Sequence, residues 1–366
     1  MSNPIELGVF MPAFNNGWII SKNAPQYMPT FDLNKRVGQL AEEIGFDFLF
    51  SAVKWRGFDG ATEHWNHTLE PVTMMTGVAA VTERIGIIAS MVPLTLHPAV
   101  AAKMAATIDD ISGGRFGINI VTGTYFGEYG QMGLYPQGYD RYRYEQAQEW
   151  IDVVNMLWTE DRPTHHGEHY QLEDCMSSPK PLQQPRPLLV CAGMSERGMA
   201  FTAKNADMNF VSGESLDELA AISRKSKEVA AEMGASSKTA TVFITIIADT
   251  DEEAQAMVDS YREGSDTEAW QNIGQIYAAD PTGKGAQLLV ETADKDVFYF
   301  FRPIFGSAES VARQLTEAIE TADLDALLFT FPDYIDGLRR FAAGVRPEME
   351  RLGVQFATPA PELALS

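Results

Sequence analysis

Eight near-continuous apolar runs, most of them followed by a stretch with helical spacing, constrain this chain more than any other feature. They read IELGVFMP (5–12), FDFLFSAV (46–53), IGIIASMV (85–92), RFGINIVTG (115–123), PLLVCAG (187–193), MNFVSG (208–213), TATVFITIIA (239–248) and DALLFTFP (325–332). Strands apolar at both parities are buried on both faces, as a parallel sheet requires. Eight such strands alternating with helices predict an α/β fold, a (β/α)8 TIM barrel, over an open sheet. The helix signals agree. Asp32 is placed to cap FDLNKRVGQLAEEIGF, and PAVAAKMAATIDDISGG starts at Pro98 and stops at Gly113-Gly114. No linker or low-complexity stretch divides residues 1–366, so one domain is expected, with insertions near 55–68, 124–143, 159–186 and 266–306.

Composition narrows the function classes. The formal net charge of −22 argues against nucleic acid and anionic membrane surfaces as partners. The N-terminal segment lacks a basic stretch ahead of a long apolar run, and no apolar stretch is long enough to span a bilayer. A cytoplasmic chain without a membrane partner is expected. Cys175 and Cys191 suggest neither a disulfide framework nor zinc.

In a TIM barrel the chemistry sits at the C-terminal ends of the strands. Polar residues gather there: Asn15 and Asn16, Lys54, Ser90 beside Met91, Asn119 through Glu128, and Gly193 to Ser195. Asn119 is the most demanding of them, because an amide inside an apolar strand needs hydrogen-bond partners. Gly117 on the same face leaves room for a ligand or another backbone. Ser195 opens a helix, where unpaired amides and the helix dipole favour an anion. Each has an ordinary alternative: a structural asparagine, a solvated loop carboxylate at Glu128, a solvent-facing Lys54, a plain N-cap serine. THHGEHY (164–170) lacks the spacing and helical face of a metal motif and reads as a surface hairpin, so no metal site is expected. His64 and His67 lie near a possible pocket mouth without a recognisable partner. No dinucleotide fingerprint, P-loop or nucleophile elbow is present.

Six blocks together carry a resemblance: GVFMPAFNNGWIISKNAPQYMPTFDLNK, FDFLFSAVKWRGFDGATEHWNHTLEP, AAVTERIGI, AAKMAATIDDISGGRFGINIVTG, EYGQMG and VCAGMSERGMAF. They resemble the bacterial-luciferase-like flavin monooxygenases, and within them the branch that degrades pyrimidines in the Rut uracil pathway. The resemblance implies reduced FMN delivered by a separate NAD(P)H-dependent flavin reductase, O2 as co-substrate, and a small heterocyclic substrate; a homo-oligomer is expected. Position by position it implies flavin contacts at Val53, Lys54, Asn119, Glu128, Arg143, Tyr144 and Ser195. It places Arg143 and Ser195 at the flavin phosphate, and an oxygen pocket at Phe50, Ser90 and Asn119. Asn119, Ser90 and Glu128 are then the catalytic candidates.

The chain also departs from that branch, which has tryptophan at Thr124, threonine at Ser90 and leucine at Phe50. A small residue at Thr124 enlarges the expected pocket, so the favoured substrate is a planar N-heterocycle larger than uracil, cleaved as in the related conversion of riboflavin to lumichrome. A pyrimidine ring-opening monooxygenase is the alternative. An F420-dependent oxidoreductase and a non-enzymatic flavin-binding protein remain as further classes.

Overall fold

The computed structural model describes residues 4–123, 126–278, 297–298 and 301–359. In chain order, β1 (Glu6–Phe10), α1 (Phe31–Glu43), β2 (Phe48–Ser51), α2 (Pro71–Ala79), β3 (Gly86–Met91), α3 (Pro98–Ser112) and β4 (Phe116–Ile120) alternate strictly. After them come α4 (Phe126–Gly130), α5 (Tyr139–Thr159) and a hairpin of β5 (His165–His166) and β6 (Gln171–Leu172). Then β7 (Leu188–Cys191), α6 (Glu196–Asn205), β8 (Met208–Phe210), α7 (Leu216–Glu232) and β9 (Lys238–Ile247) resume the pattern. The chain continues with α8 (Asp251–Glu263), α9 (Thr267–Ala278), β10 (Pro303–Gly306), α10 (Ala308–Ala322), β11 (Ala326–Thr330) and a C-terminal helical run over 334–351.

Eight strands close a parallel barrel in the order β1-β2-β3-β4-β7-β8-β9-β11, with β11 returning to β1. Each of the eight apolar runs supplies one strand. Both parities are buried, as the adjacent pairs Leu49 and Phe50, Ile87 and Ile88, and Leu189 and Val190 show, because one face fills the barrel and the other meets the helices. The ninth strand, β10, pairs with the second half of β9 over Ile244–Ile247.

Local signals placed most helix ends. His97 caps α3 from just ahead of Pro98, and Gly113 ends it at φ 67°. One expectation needs correction. Thr30, not Asp32, caps α1: its hydroxyl accepts from Leu33 N, and Asp32 falls in the first turn, where it complements the dipole instead. The expected insertion near 124–143 contains α4 and the first turn of α5. The irregular stretch 266–306 contains α9 and β10, whose pairing with β9 rests on long-range partners that no local pattern announces. His165 and His166 lie in the expected hairpin, where Glu149 holds His165 at 3.1 Å.

Candidate active site

β2, β3 and β4 run side by side with Ser51 opposite Ala89 and Ser90 opposite Asn119. A short polar chain crosses them. Ser90 Oγ donates to the Ser51 carbonyl at 2.9 Å, and Asn119 Nδ2 donates to Ser90 Oγ at 2.8 Å. A hydroxyl has one proton, so once Ser51 takes it Ser90 can only accept, which fixes the Asn119 amide orientation. Asn119 Oδ1 is therefore turned the other way; it is buried and has no partner. The room beside Gly117 is filled by Leu188 and Ile88. A Cβ there would lie 3.1 Å from Leu188 Cβ on β7.

The second cluster joins the loop after β2 to α4. Trp55 N donates to Glu128 Oε1 at 2.8 Å, and Lys54 Nζ lies 3.4 Å from the same oxygen. Gln131 Nε2 donates to the Trp55 carbonyl at 2.9 Å, so two side chains from the α4 region hold that loop. The Lys54 ammonium also sits 4.7 Å from the Phe58 ring centre and 5.4 Å from that of Trp65. Burial pulls the Lys54 pKa below its usual value, and Glu128 opposes the shift. His64 stacks on the same two rings, with both ring nitrogens buried and unpartnered; burial holds its pKa down to about 3, so the imidazole is neutral. Asp59, Glu63 and Trp65 all adopt left-handed backbone within this insertion. Such conformations cost about 1–3 kcal/mol each and persist only where surrounding contacts enforce them. For Trp65 one such contact is its indole N–H, which donates to the Gly17 carbonyl at 2.6 Å.

A third cluster lies at β7 and α6. Asn209 grips the Gly193 backbone from both sides, accepting from its N–H and donating to its carbonyl at 3.0 Å each. Gly193 must be glycine: a Cβ would stand 2.4 Å from the Gly198 backbone. This tight turn delivers Ser195, which caps α6 by accepting from Gly198 N at 3.1 Å. Tyr144 reaches the same turn, its hydroxyl 2.7 Å from where a Gly198 Cβ would be. The Arg143 guanidinium lies 5.0 Å from the Tyr144 ring centre, and its Nε is buried without a partner. Both residues sit in the second turn of α5, and Tyr139 fixes α5 to the loop after β4 by donating to the Thr122 carbonyl at 2.6 Å.

The structure thus brings together Ser90 with Asn119, Lys54 with Glu128, and Tyr144 with the Ser195 turn, with Arg143 against Tyr144. Phe50 joins an aromatic line with Phe10 and Phe210, at 5.1 and 4.7 Å between ring centres, and Val53 is half-buried beside Lys54. Thr124 lies outside the described residues. Sequence reasoning missed Ser51, which acts through its carbonyl, and Asn209 and Trp55, which look ordinary until their partners are known. A surface concavity of about 540 Å3 lined by Met257, Tyr261 and Arg340 contains none of these side chains. The site is marked by unpaired buried polar atoms.

Among the described residues no group of three or more His, Cys, Asp or Glu side chains is arranged to hold a metal, and no helix is long and apolar enough to cross a membrane. The luciferase-like monooxygenase family model matches residues 5–324. The chain is 43% identical over 353 residues to the pyrimidine monooxygenase RutA of Stutzerimonas stutzeri, covering 94% of this chain and 97% of that protein. It is 41% identical to the protein of the same name from Acinetobacter baylyi, covering 94% and 95%. Among solved structures, a riboflavin lyase bound to modified FMN and riboflavin superposes with a TM-score of 0.83 at 22% identity, over 98% of this chain and 94% of that one. A long-chain alkane monooxygenase does so at 0.83 and 19%, over 98% and 93%. At these identities the structural likeness establishes the barrel alone. The family match over most of the chain establishes more: this protein is a flavin-dependent monooxygenase and belongs to the luciferase-like monooxygenase family.

Proposed function

We propose that the chain is the oxygenase of a two-component system that uses reduced FMN and O2 to open the ring of a pyrimidine such as uracil or thymine. One observation carries this reading, the 43% identity to a pyrimidine monooxygenase over 94% of the chain. The expectation of a larger, riboflavin-like substrate has weaker support, because the riboflavin lyase is only 22% identical and Thr124 lies outside the described residues.

The residues present fit a flavin mononucleotide. At one end, Arg143 with its orphaned Nε and the capped N-terminus of α6 at Ser195 suit a phosphate, since a guanidinium and helix-terminal amides both favour an anion. At the other, the unpartnered Asn119 Oδ1 suits the N–H of a planar ring edge. When bound, reduced FMN supplies the electrons that activate O2. The chain's own contribution is position and electrostatics. Ser90 holds the Asn119 acceptor still, Lys54 offers a poorly solvated ammonium as a donor, and Glu128 keeps that ammonium in place. The rings of Phe10, Phe50, Trp18 and Phe301 pack edge-on or tilted against one another, an apolar wall that disfavours water. A separate flavin reductase supplies the reduced cofactor in this reading.

The test is an aerobic reaction with photoreduced FMN and the purified chain, with uracil, thymine and riboflavin each analysed by mass spectrometry. Ring-opened, oxygenated pyrimidine is the expected product. Lumichrome from riboflavin with no pyrimidine product would reverse the substrate assignment.

A further inference from the structure

Trp55 holds a polar group that the site leaves unexplained. Its backbone is committed on both sides, the N–H to Glu128 at 2.8 Å and the carbonyl to Gln131 at 2.9 Å. Its indole N–H, by contrast, is buried and has no partner. An indole nitrogen can only donate, and a buried donor left unmade costs about 1–3 kcal/mol. Three other indoles avoid that cost. The indoles of Trp65, Trp150 and Trp158 donate to the carbonyls of Gly17, Leu96 and Ala102 at 2.6, 2.8 and 3.2 Å.

The neighbouring carboxylate does not relieve it. Glu128 Oε1 already takes the Trp55 amide and faces Lys54, and the indole makes no hydrogen bond to it. The described part of the site therefore contains an unpaired donor at Trp55 Nε1, separate from the Asn119 Oδ1 acceptor assigned to the flavin edge. Cyclic lactams such as pyrimidinones carry the complementary acceptor, a ring carbonyl. Because Glu128 and Gln131 clamp the Trp55 backbone from the α4 side, the base of the indole is fixed before any ligand arrives, which lowers the ordering cost of binding.

We propose that Trp55 is a specificity-determining residue of this site, its indole N–H donating to a ring carbonyl of the heterocyclic substrate. The assignment rests on the pyrimidine reading above and deepens it, since it names the chemical group by which the substrate is selected.

The experiment compares the wild-type chain with Trp55→Phe, using photoreduced FMN and two substrates, uracil and 4-thiouracil, whose sulfur accepts hydrogen bonds poorly. Thermal unfolding and titration with oxidised FMN report on folding and cofactor binding. The variant is expected to fold, to bind FMN as the wild type does, and to raise the KM for uracil about 5- to 10-fold, the value of one hydrogen bond. The wild type should prefer uracil over 4-thiouracil, and the variant should lose that preference. An unchanged KM, an equal loss on both substrates, or a loss confined to FMN binding would each overturn the assignment. If the wild type leaves both pyrimidines untouched, the pyrimidine reading fails separately. Trp55 is then judged by equilibrium dialysis with uracil and lumichrome, both lactams, where equal affinity in wild type and variant, or no binding to either, overturns it.

Discussion

Asn119 donates through Nδ2 to Ser90 Oγ at 2.8 Å while its Oδ1 stays buried and unpaired. One half of the amide anchors the other. Ser90 can play this part because its own proton is committed to the Ser51 carbonyl at 2.9 Å. Asn119→Ala should therefore cut kcat/KM by about 100-fold or more, as loss of an oriented polar group in a water-poor site does, with a smaller effect on flavin affinity. Ser90→Ala leaves the amide in place but unanchored and should cost about 10-fold. Steady-state kinetics with photoreduced FMN, beside flavin titrations, separate the two effects.

Glu128→Gln keeps an acceptor for the Trp55 amide but removes the charge beside Lys54. An ammonium buried with 11% side-chain exposure then lacks its carboxylate. Breaking a buried pair from one side costs about 3–5 kcal/mol. Urea unfolding should show a loss in that range, and Lys54→Met in the same background should recover much of it.

His64 makes stability depend on acid pH. In the unfolded chain it takes up a proton near 6.5, whereas in the folded chain burial holds that proton off until about pH 3; Asp266 opposes the shift and the Lys54 charge adds a smaller push in its favour. The unfolded state binds more protons across that window, so stability falls as pH falls through it. His64→Phe removes the effect and both unpaired nitrogens. The variant should be more stable than wild type at pH 7, and the gap should widen by about 1.4 kcal/mol per pH unit below 6.5. Parallel slopes in urea titrations at pH 7, 6, 5 and 4.5 would contradict it.

Arg143 is assigned to the phosphate end of the flavin. Arg143→Ala should weaken FMN binding about 10- to 100-fold, the range of a charged hydrogen bond, and leave riboflavin, which lacks the phosphate, unaffected. Fluorescence titration of both flavins measures the difference directly.

Much of the architecture was legible because its signals are local. Pro98 and Gly113 mark the ends of α3 through their own backbone preferences, and the eight apolar runs mark strands because a parallel barrel buries both faces of each. Asp32 shows the limit of such signals. Two residues before it, Thr30 offers an equally good cap, and the geometry of the chain entering α1 chose between them. The partner of Glu128 was not legible at all. Lys54 and Trp55 are more than seventy positions away, and nothing in GEYGQMG announces them.

The sequence alone determined the barrel, the strand that carries Asn119 and the family resemblance, since periodicity, turn chemistry and short sequence blocks are properties of neighbouring residues. Tertiary structure decided which polar groups meet and which stay unpaired. Ser51, Ser90 and Asn119 become one chain only when three strands align, and Gly117 proves to face Leu188, not a ligand. Whether a buried polar atom has a partner depends on contacts between segments far apart in sequence. That is why Trp55, an unremarkable letter after Lys54, acquires a role only in the folded chain.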